Sequence, residues 1–139
     1  MSAEEKIESL VAELRILESY FNEVSNRENM LGRAMVESKA ALQAVRSLPQ
    51  TGLSEVLVPV GGGVLMHVQV PPPESLIVSV GADVAVEKTR DDAVSFLDDR
   101  VQEMEKAMSQ LGMQRADLGN RINSTRMAIN SLVEQSRSG

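Results

Sequence analysis

Residues 54–89 read SEVLVPVGGGVLMHVQVPPPESLIVSVGADVAVEKT, and the organisation of the whole chain follows from them. Apolar and other residues alternate through much of this stretch, which is the period of a half-buried strand. Turn-forming residues interrupt it at Gly61-Gly62-Gly63, at Pro71-Pro72-Pro73-Glu74 and at Gly81-Ala82-Asp83. The pattern predicts four strands, at 54–60, 64–70, 75–80 and 84–89, joined as two β-hairpins.

The alternation places Val56, Val58 and Val60 on the same face as Val64, Met66, Val68 and Val70, with Leu65, His67 and Gln69 opposite. Leu76, Val78 and Val80, then Val84 and Val86, continue the pattern. Pro59 inside the first strand calls for an edge or a bulge, because proline has no N–H to give to a ladder. Two hairpins alone are marginal in water. An uncovered apolar face of several hundred Å² is an interaction surface. These residues are therefore the expected oligomerisation set, with strands of several chains closing a barrel.

A long helical sequence flanks the hairpins on each side. In the first, Ile7, Leu10, Leu14, Leu17, Phe21, Val24, Glu28, Leu31, Met35, Ser38, Leu42 and Val45 step by three and four, and ten of these twelve positions are apolar. In the second, Val94, Leu97, Val101, Met104, Met108, Leu111, Arg115, Leu118, Ile122, Thr125, Ile129 and Leu132 do the same, again ten of twelve. A sustained seven-residue repeat is the mark of a coiled coil. Ser2 with Glu5 and Thr89 with Asp92 form capping boxes at the two helix starts. Pro49 ends the first helix at Leu48, giving it a length of roughly 65 Å at 1.5 Å per residue.

Equal length and equal layer number predict that the helices fold back on each other. The fold class expected is α+β: a long antiparallel two-helix coiled coil with two central β-hairpins that assemble between subunits into a β-barrel. Its three segments are an N-terminal coiled-coil helix (1–48), the hairpin module (49–89) and a C-terminal coiled-coil helix (90–139). If Val45 faces Val94, Glu28 lies one turn from the level of Arg115, and these charged breaks in the two stripes are expected to approach each other. Gly112 and Gly119 each lower helix propensity by about 1 kcal/mol relative to alanine, so the outer half of the second helix is expected to be looser.

Composition supports a thin structure. Aromatic residues make up 2% of the 139 residues, with no Trp, one Tyr and two Phe; Met, Leu, Val and Ala supply the apolar bulk, which suits a helix seam better than a thick core. With no Cys there is no disulfide or cysteine-based metal site. His67, the only histidine, has no clustered partner and reads as a strand residue rather than a metal ligand. Gly61-Gly62-Gly63 lacks the lysine and hydroxyl residue of a phosphate loop and any following helix, so it reads as a turn. The net charge is −6, and only acids lie between Arg46 and Lys88, which disfavours nucleic acid. No apolar run approaches the roughly 20 residues of a membrane span, and the acidic start Met1-Ser2-Ala3-Glu4-Glu5 has no signal-peptide core. No cofactor, metal, catalytic group or membrane contact is expected, and a cytoplasmic protein is.

In the antiparallel arrangement both termini share one tip. Ile7, Leu10, Val11 and Leu14 lie there on one helix, and Ile122, Met127, Ile129, Leu132 and Val133 on the other. Val11, Met127 and Val133 fall outside the strict seam and widen it. A frayed tip of this kind presents a flexible apolar patch suited to unfolded chains.

Helix, two hairpins, helix, with the runs Glu55-Val56-Leu57-Val58-Pro59-Val60-Gly61 and Val78-Ser79-Val80-Gly81-Ala82-Asp83-Val84-Ala85-Val86-Glu87-Lys88-Thr89, and then Asp92-Ala93 and Phe96-Leu97, resembles the alpha-class subunit of prefoldin, of archaeal type. The resemblance covers nearly the whole chain. It implies a hexamer with two alpha and four beta-class subunits, in which hairpins build a double β-barrel and six coiled coils hang from it. It also implies ATP-independent capture of unfolded polypeptides at the coil tips and delivery to a group II chaperonin. The same architecture would also suit a structural scaffold or spacer with one fixed protein partner at its tips.

Overall fold

The computed structural model describes residues 2–138; Met1 and Gly139, the outer bounds of the first and third segments, lie outside the described residues. The elements run α1 (Ala3–Arg46), β1 (Ser54–Gly61), β2 (Val64–Val70), β3 (Leu76–Gly81), β4 (Val84–Lys88) and α2 (Arg90–Ser138). The chain forms two compact units. One takes residues up to Ala34 and from Met104 onward; the other takes Met35–Glu103.

The capping box expected at α1 is complete, and that expected at α2 forms in one direction only. Ser2 N–H donates to Glu5 Oε2 at 3.4 Å and Glu5 N–H to Ser2 Oγ at 3.2 Å, which satisfies two of the orphan donors of α1. At α2, Asp92 N–H donates to Thr89 Oγ1 at 3.2 Å. The helix α1 ends two residues before the expected Leu48. Ser47 N–H still reaches Gln43 O at 3.0 Å, but Leu48 N–H closes a tighter turn on Val45 O at 3.3 Å. The clash that proline imposes on the residue before it thus unwinds the last turn rather than stopping it abruptly. Arg90 then donates to Arg46 O, so a side chain from the start of α2 caps the last carbonyls of α1.

In the hairpin-bearing unit the strands form two separate two-stranded antiparallel sheets, β1-β2 and β3-β4. Val56 pairs with Val68 and Val58 with Met66; in the second hairpin Val78 pairs with Val86. The predicted valine faces are therefore real. Val60 and Val80 depart from them. The register shifts between Pro59 and Gly61 and between Ser79 and Gly81, so each of these valines is the extra residue of a β-bulge rather than the next step of the alternation. The bulge expected from Pro59 in the first hairpin is present, and the second hairpin forms one without a proline.

The turns are shorter than the breaks in the sequence. Gly61 and Gly81 belong to the strands and pair with Val64 and Val84, leaving the two-residue loops Gly62-Gly63 and Ala82-Asp83. Both residues of each loop have positive φ, at 58° and 81° in the first and 50° and 61° in the second, the pattern of a type I′ turn. The hairpins thus repeat one motif, Val-x-Val-Gly-x-x-Val, at 58–64 and 78–84. The second copy makes the turn with Ala82, which carries a Cβ into a region that L residues avoid.

In the other unit the helices run antiparallel. Glu18 meets Arg126, and Gly119 lies beside Phe21. Leu17, Val24 and Ile122 are buried in the seam, together with Thr125, whose hydroxyl donates to Arg121 O at 2.8 Å and so brings no unsatisfied donor with it. Glu28 and Arg115 approach as expected: Arg115 Nε lies 2.7 Å from Glu28 Oε1, though not in line to donate a hydrogen bond. In the hairpin-bearing unit the buried apolar residues are Leu42, Val101 and Ala93; Ala93 is the most enclosed of them, at 1% exposure. No large side chain among the described residues is fully buried.

Two stability predictions follow from these local features. Ala82→Gly removes the Cβ from its unfavourable φ and should raise the stability of the chain by about 0.5–1 kcal/mol; a chemical denaturation midpoint that falls instead would contradict the turn geometry. Arg115→Glu places a second carboxylate beside a Glu28 side chain that is only 16% exposed, and should cost about 1–2 kcal/mol. Leucine at both positions restores the stripe and should gain about 1–3 kcal/mol over the ion pair. Denaturation of the single and double variants measures both.

Candidate functional site: hairpin faces and the terminal coil

The hairpins expose what a folded chain normally hides. Of the expected oligomerisation residues, Val56, Val58, Val60, Val64, Met66, Val80, Val84 and Val86 are exposed, from 38% at Val58 to 60% at Val64. Val68, Val70, Leu76 and Val78 are half-buried. Leu76 and Val78 line a cleft with Ala41 and Val45 of α1 and Ala93 and Leu97 of α2, so the helices cover this end of β3. The exposed part is the remainder of the two ribbons.

The opposite faces are less polar than the alternation implied. Leu57, Leu65 and Ile77 stand out from them, with Ile77 75% exposed. Only the first hairpin has a polar pair there, His67 Nδ1 against Glu55 Oε1. The pair is diagonal across β1 and β2, where Glu55 faces Gln69 and Leu57 faces His67. Sequence reasoning missed Leu57 and Ile77 as surface residues because it treated one face as the sticky one. Each ribbon also has two open edges of unpaired backbone groups. Beside the second hairpin, Lys88 Nζ and Arg100 Cζ lie 5.5 and 5.2 Å from the centre of the Phe96 ring. The half-buried phenylalanine thus lies within cation–π range of two cations.

The residues expected at the coil tip fall into three burial states. Ile7, Leu10, Val11 and Leu14 of α1, and Ile129, Leu132 and Val133 of α2, are half-buried. Ile122 is buried at 8%, inside the closed seam, and Met127 is exposed at 67%. Ile16, Tyr20, Met30 and Met113 are further large apolar side chains exposed on this coil, which the seam pattern did not mark. They fall between seam positions, so a search for a seven-residue repeat passes over them.

Among the described residues no three His, Asp or Glu side chains gather into a group that could hold a metal ion. No described helix is long and apolar enough to cross a membrane. What the described residues leave exposed is strand edges, apolar side chains on both faces of the ribbons, and Met127 on the outer coil.

Known proteins share this arrangement. The family model described as prefoldin subunit matches residues 3–135. A prefoldin subunit alpha of Nitrosopumilus maritimus is 30% identical over 132 residues, covering 95% of this chain and 91% of that protein. One of Methanospirillum hungatei is 32% identical over 106 residues, 71% of each. Among solved structures, a chain of the filamentous PFD from Methanocaldococcus jannaschii superimposes with a TM-score of 0.67 at 21% identity, covering 82% of this chain and 95% of that one. The prefoldin beta subunit from Thermococcus strain KS-1 gives 0.64 at 19% identity, covering 91% and 90%. At such identities the structural likeness carries the fold, and it extends to a beta subunit; the sequence relatives are alpha subunits. On the family match and on these relatives, the chain belongs to the prefoldin family, in its alpha class.

Proposed function

We propose that this prefoldin subunit assembles through its hairpins with beta-class subunits, two alpha with four beta, and that its coil end captures unfolded polypeptide without ATP and delivers it to a group II chaperonin in the cytoplasm. The observation that carries the reading is the pair of exposed valine faces on ribbons with open edges. A two-stranded ribbon with apolar side chains on both faces is at best marginally stable in water by itself. Pairing at the edges satisfies the backbone, and closing strands from several chains into a barrel buries one face of every ribbon.

Capture at the coil end draws support from chemistry of a different kind. Ile7, Leu10, Val11, Leu14, Ile129, Leu132 and Val133 are half-buried, Met127 is exposed, and Met side chains adapt to irregular partners. Ile122 closes the inner limit of the patch. Such a surface binds weakly and without strict sequence preference, so useful affinity comes from several coils acting on one substrate.

Two experiments separate the assembly from the capture. Val58→Asp with Met66→Asp puts two carboxylates at a directly paired position of the first hairpin. Mass measurement of the chain mixed with a beta-class subunit should then show the hexamer lost, with helix content by circular dichroism kept; an intact hexamer would refute the hairpin as the joint. Removing the residues before Leu14 and after Ile122 should leave the hexamer intact and abolish suppression of aggregation. Undiminished suppression across several unrelated unfolded proteins would refute capture at the coil end, whereas a response to one protein only would mark a scaffold with a fixed partner.

A further inference from the structure

Cysteine is absent from this chain, so its eight methionines carry all of its sulfur. They are not spread evenly. Six of them lie on the two helices, and Met66 is the single methionine between residues 36 and 103. Met66 stands on the valine face of the first hairpin, directly opposite Val58, with Val64 and Val68 next to it on the same face of β2. It is 49% exposed. The hairpin module, 49–89, holds no aromatic ring for its sulfur to lie against. One oxidisable atom is thus open to solvent in the middle of a face otherwise made of hydrocarbon.

We propose that Met66 is a redox modification site, oxidised by hydrogen peroxide in the free subunit, and that its sulfoxide bars the subunit from assembly. The proposal rests on the reading of the hairpins as the joint between subunits. The sulfur lone pair attacks one peroxide oxygen; an S–O bond forms, the O–O bond breaks, and the other oxygen leaves as water. Sulfur gives up two electrons and the peroxide takes them. The sulfoxide oxygen is a strong hydrogen-bond acceptor, and Val56, Val58, Val64 and Val68 around it offer no side-chain donor. Covering it with a second apolar ribbon therefore buries an unsatisfied polar group. Within the proposed assembly the same face is covered, so the thioether is shielded there. Met30, Met113 and Met127 are exposed as well, but on the helices, where a sulfoxide stays in water and leaves the joint untouched. A dithiol-dependent methionine sulfoxide reductase reverses the change: the dithiol becomes a disulfide, sulfur regains two electrons, and the oxygen leaves as water.

The test treats the full chain with hydrogen peroxide, locates sulfoxide by peptide mass, and measures assembly with a beta-class subunit by native mass. In the free chain Met66 should oxidise alongside Met113. In the assembled complex Met66 should oxidise about tenfold more slowly, with Met113 unchanged. The oxidised chain should need about tenfold more beta-class subunit for half-assembly, at unchanged helix content by circular dichroism, and reductase should restore it. Met66→Gln sets a polar group at the same place without oxidant and should weaken assembly likewise. Met66→Leu, compared with its own untreated form, should show no response to peroxide, whereas Met113→Leu should keep the full response. The proposal is overturned by a Met66 that stays a thioether while Met113 oxidises, by an equal peroxide response in Met66→Leu, or by an oxidised chain that assembles as the untreated one does. In that last case the joint stands and only the switch is wrong. If the untreated Val58→Asp, Met66→Asp chain still assembles, the joint itself is misplaced and the proposal falls with it.

Discussion

A shortage of covering surface governs this chain. Its buried apolar residues are single side chains spaced along a seam, and none of the large ones is fully enclosed. A seam of this kind satisfies two helices and has nothing left for a sheet. The hairpins consequently receive only partial cover, at Leu76 and Val78 of β3, which line a cleft with the helices, and at Val68 and Val70 of β2. The rest of the ribbons and their strand edges stay exposed in the single chain. In the proposed assembly the stability of the hairpin module would depend on the concentration of its partners.

The turns sharpen that dependence. Each ribbon is closed by a two-residue loop with both φ values positive, preceded by a bulge. Type I′ turns and bulges both increase right-handed twist. Strong twist resists indiscriminate stacking of flat ribbons into fibres and favours closure into a barrel. Val60 and Val80, displaced from the ladder by the bulges, stay exposed at the turn ends of their strands. An aspartate sits in the second turn and glycines in the first, so the turn ends also differ in charge.

Much of this architecture was legible because it rests on period and on local chemistry. The two-residue alternation gave the paired valine faces, the three-four spacing gave the seam, and Ser2, Glu5, Thr89 and Asp92 marked the helix starts. The approach of Arg115 to Glu28 followed from counting layers in two stripes. What escaped notice obeys no period. Ala93 is the most buried apolar residue, yet alanine carries too little apolar surface to stand out in a pattern. Leu57 and Ile77 were lost behind the assumption of one apolar face. The bulge of the second hairpin has no proline to announce it, and becomes visible only when the motif at 78–84 is laid over that at 58–64.

The closed seam also limits how a coil end could hold anything. Ile122 and Thr125 are buried, so their layers are unavailable unless the helices part. Parting them exposes apolar side chains at about 1.5–3 kcal/mol each. Binding that opened two layers would therefore consume several kcal/mol before any gain appeared, which exceeds what a small apolar patch returns. A proposed contact that leaves the seam shut would use Met127, which is exposed, and half-buried residues such as Val11 and Val133. A patch of that size gives weak, rapidly reversed contact from a single coil. If the coil end does hold a substrate as proposed, retention would therefore require many coils acting on it at once.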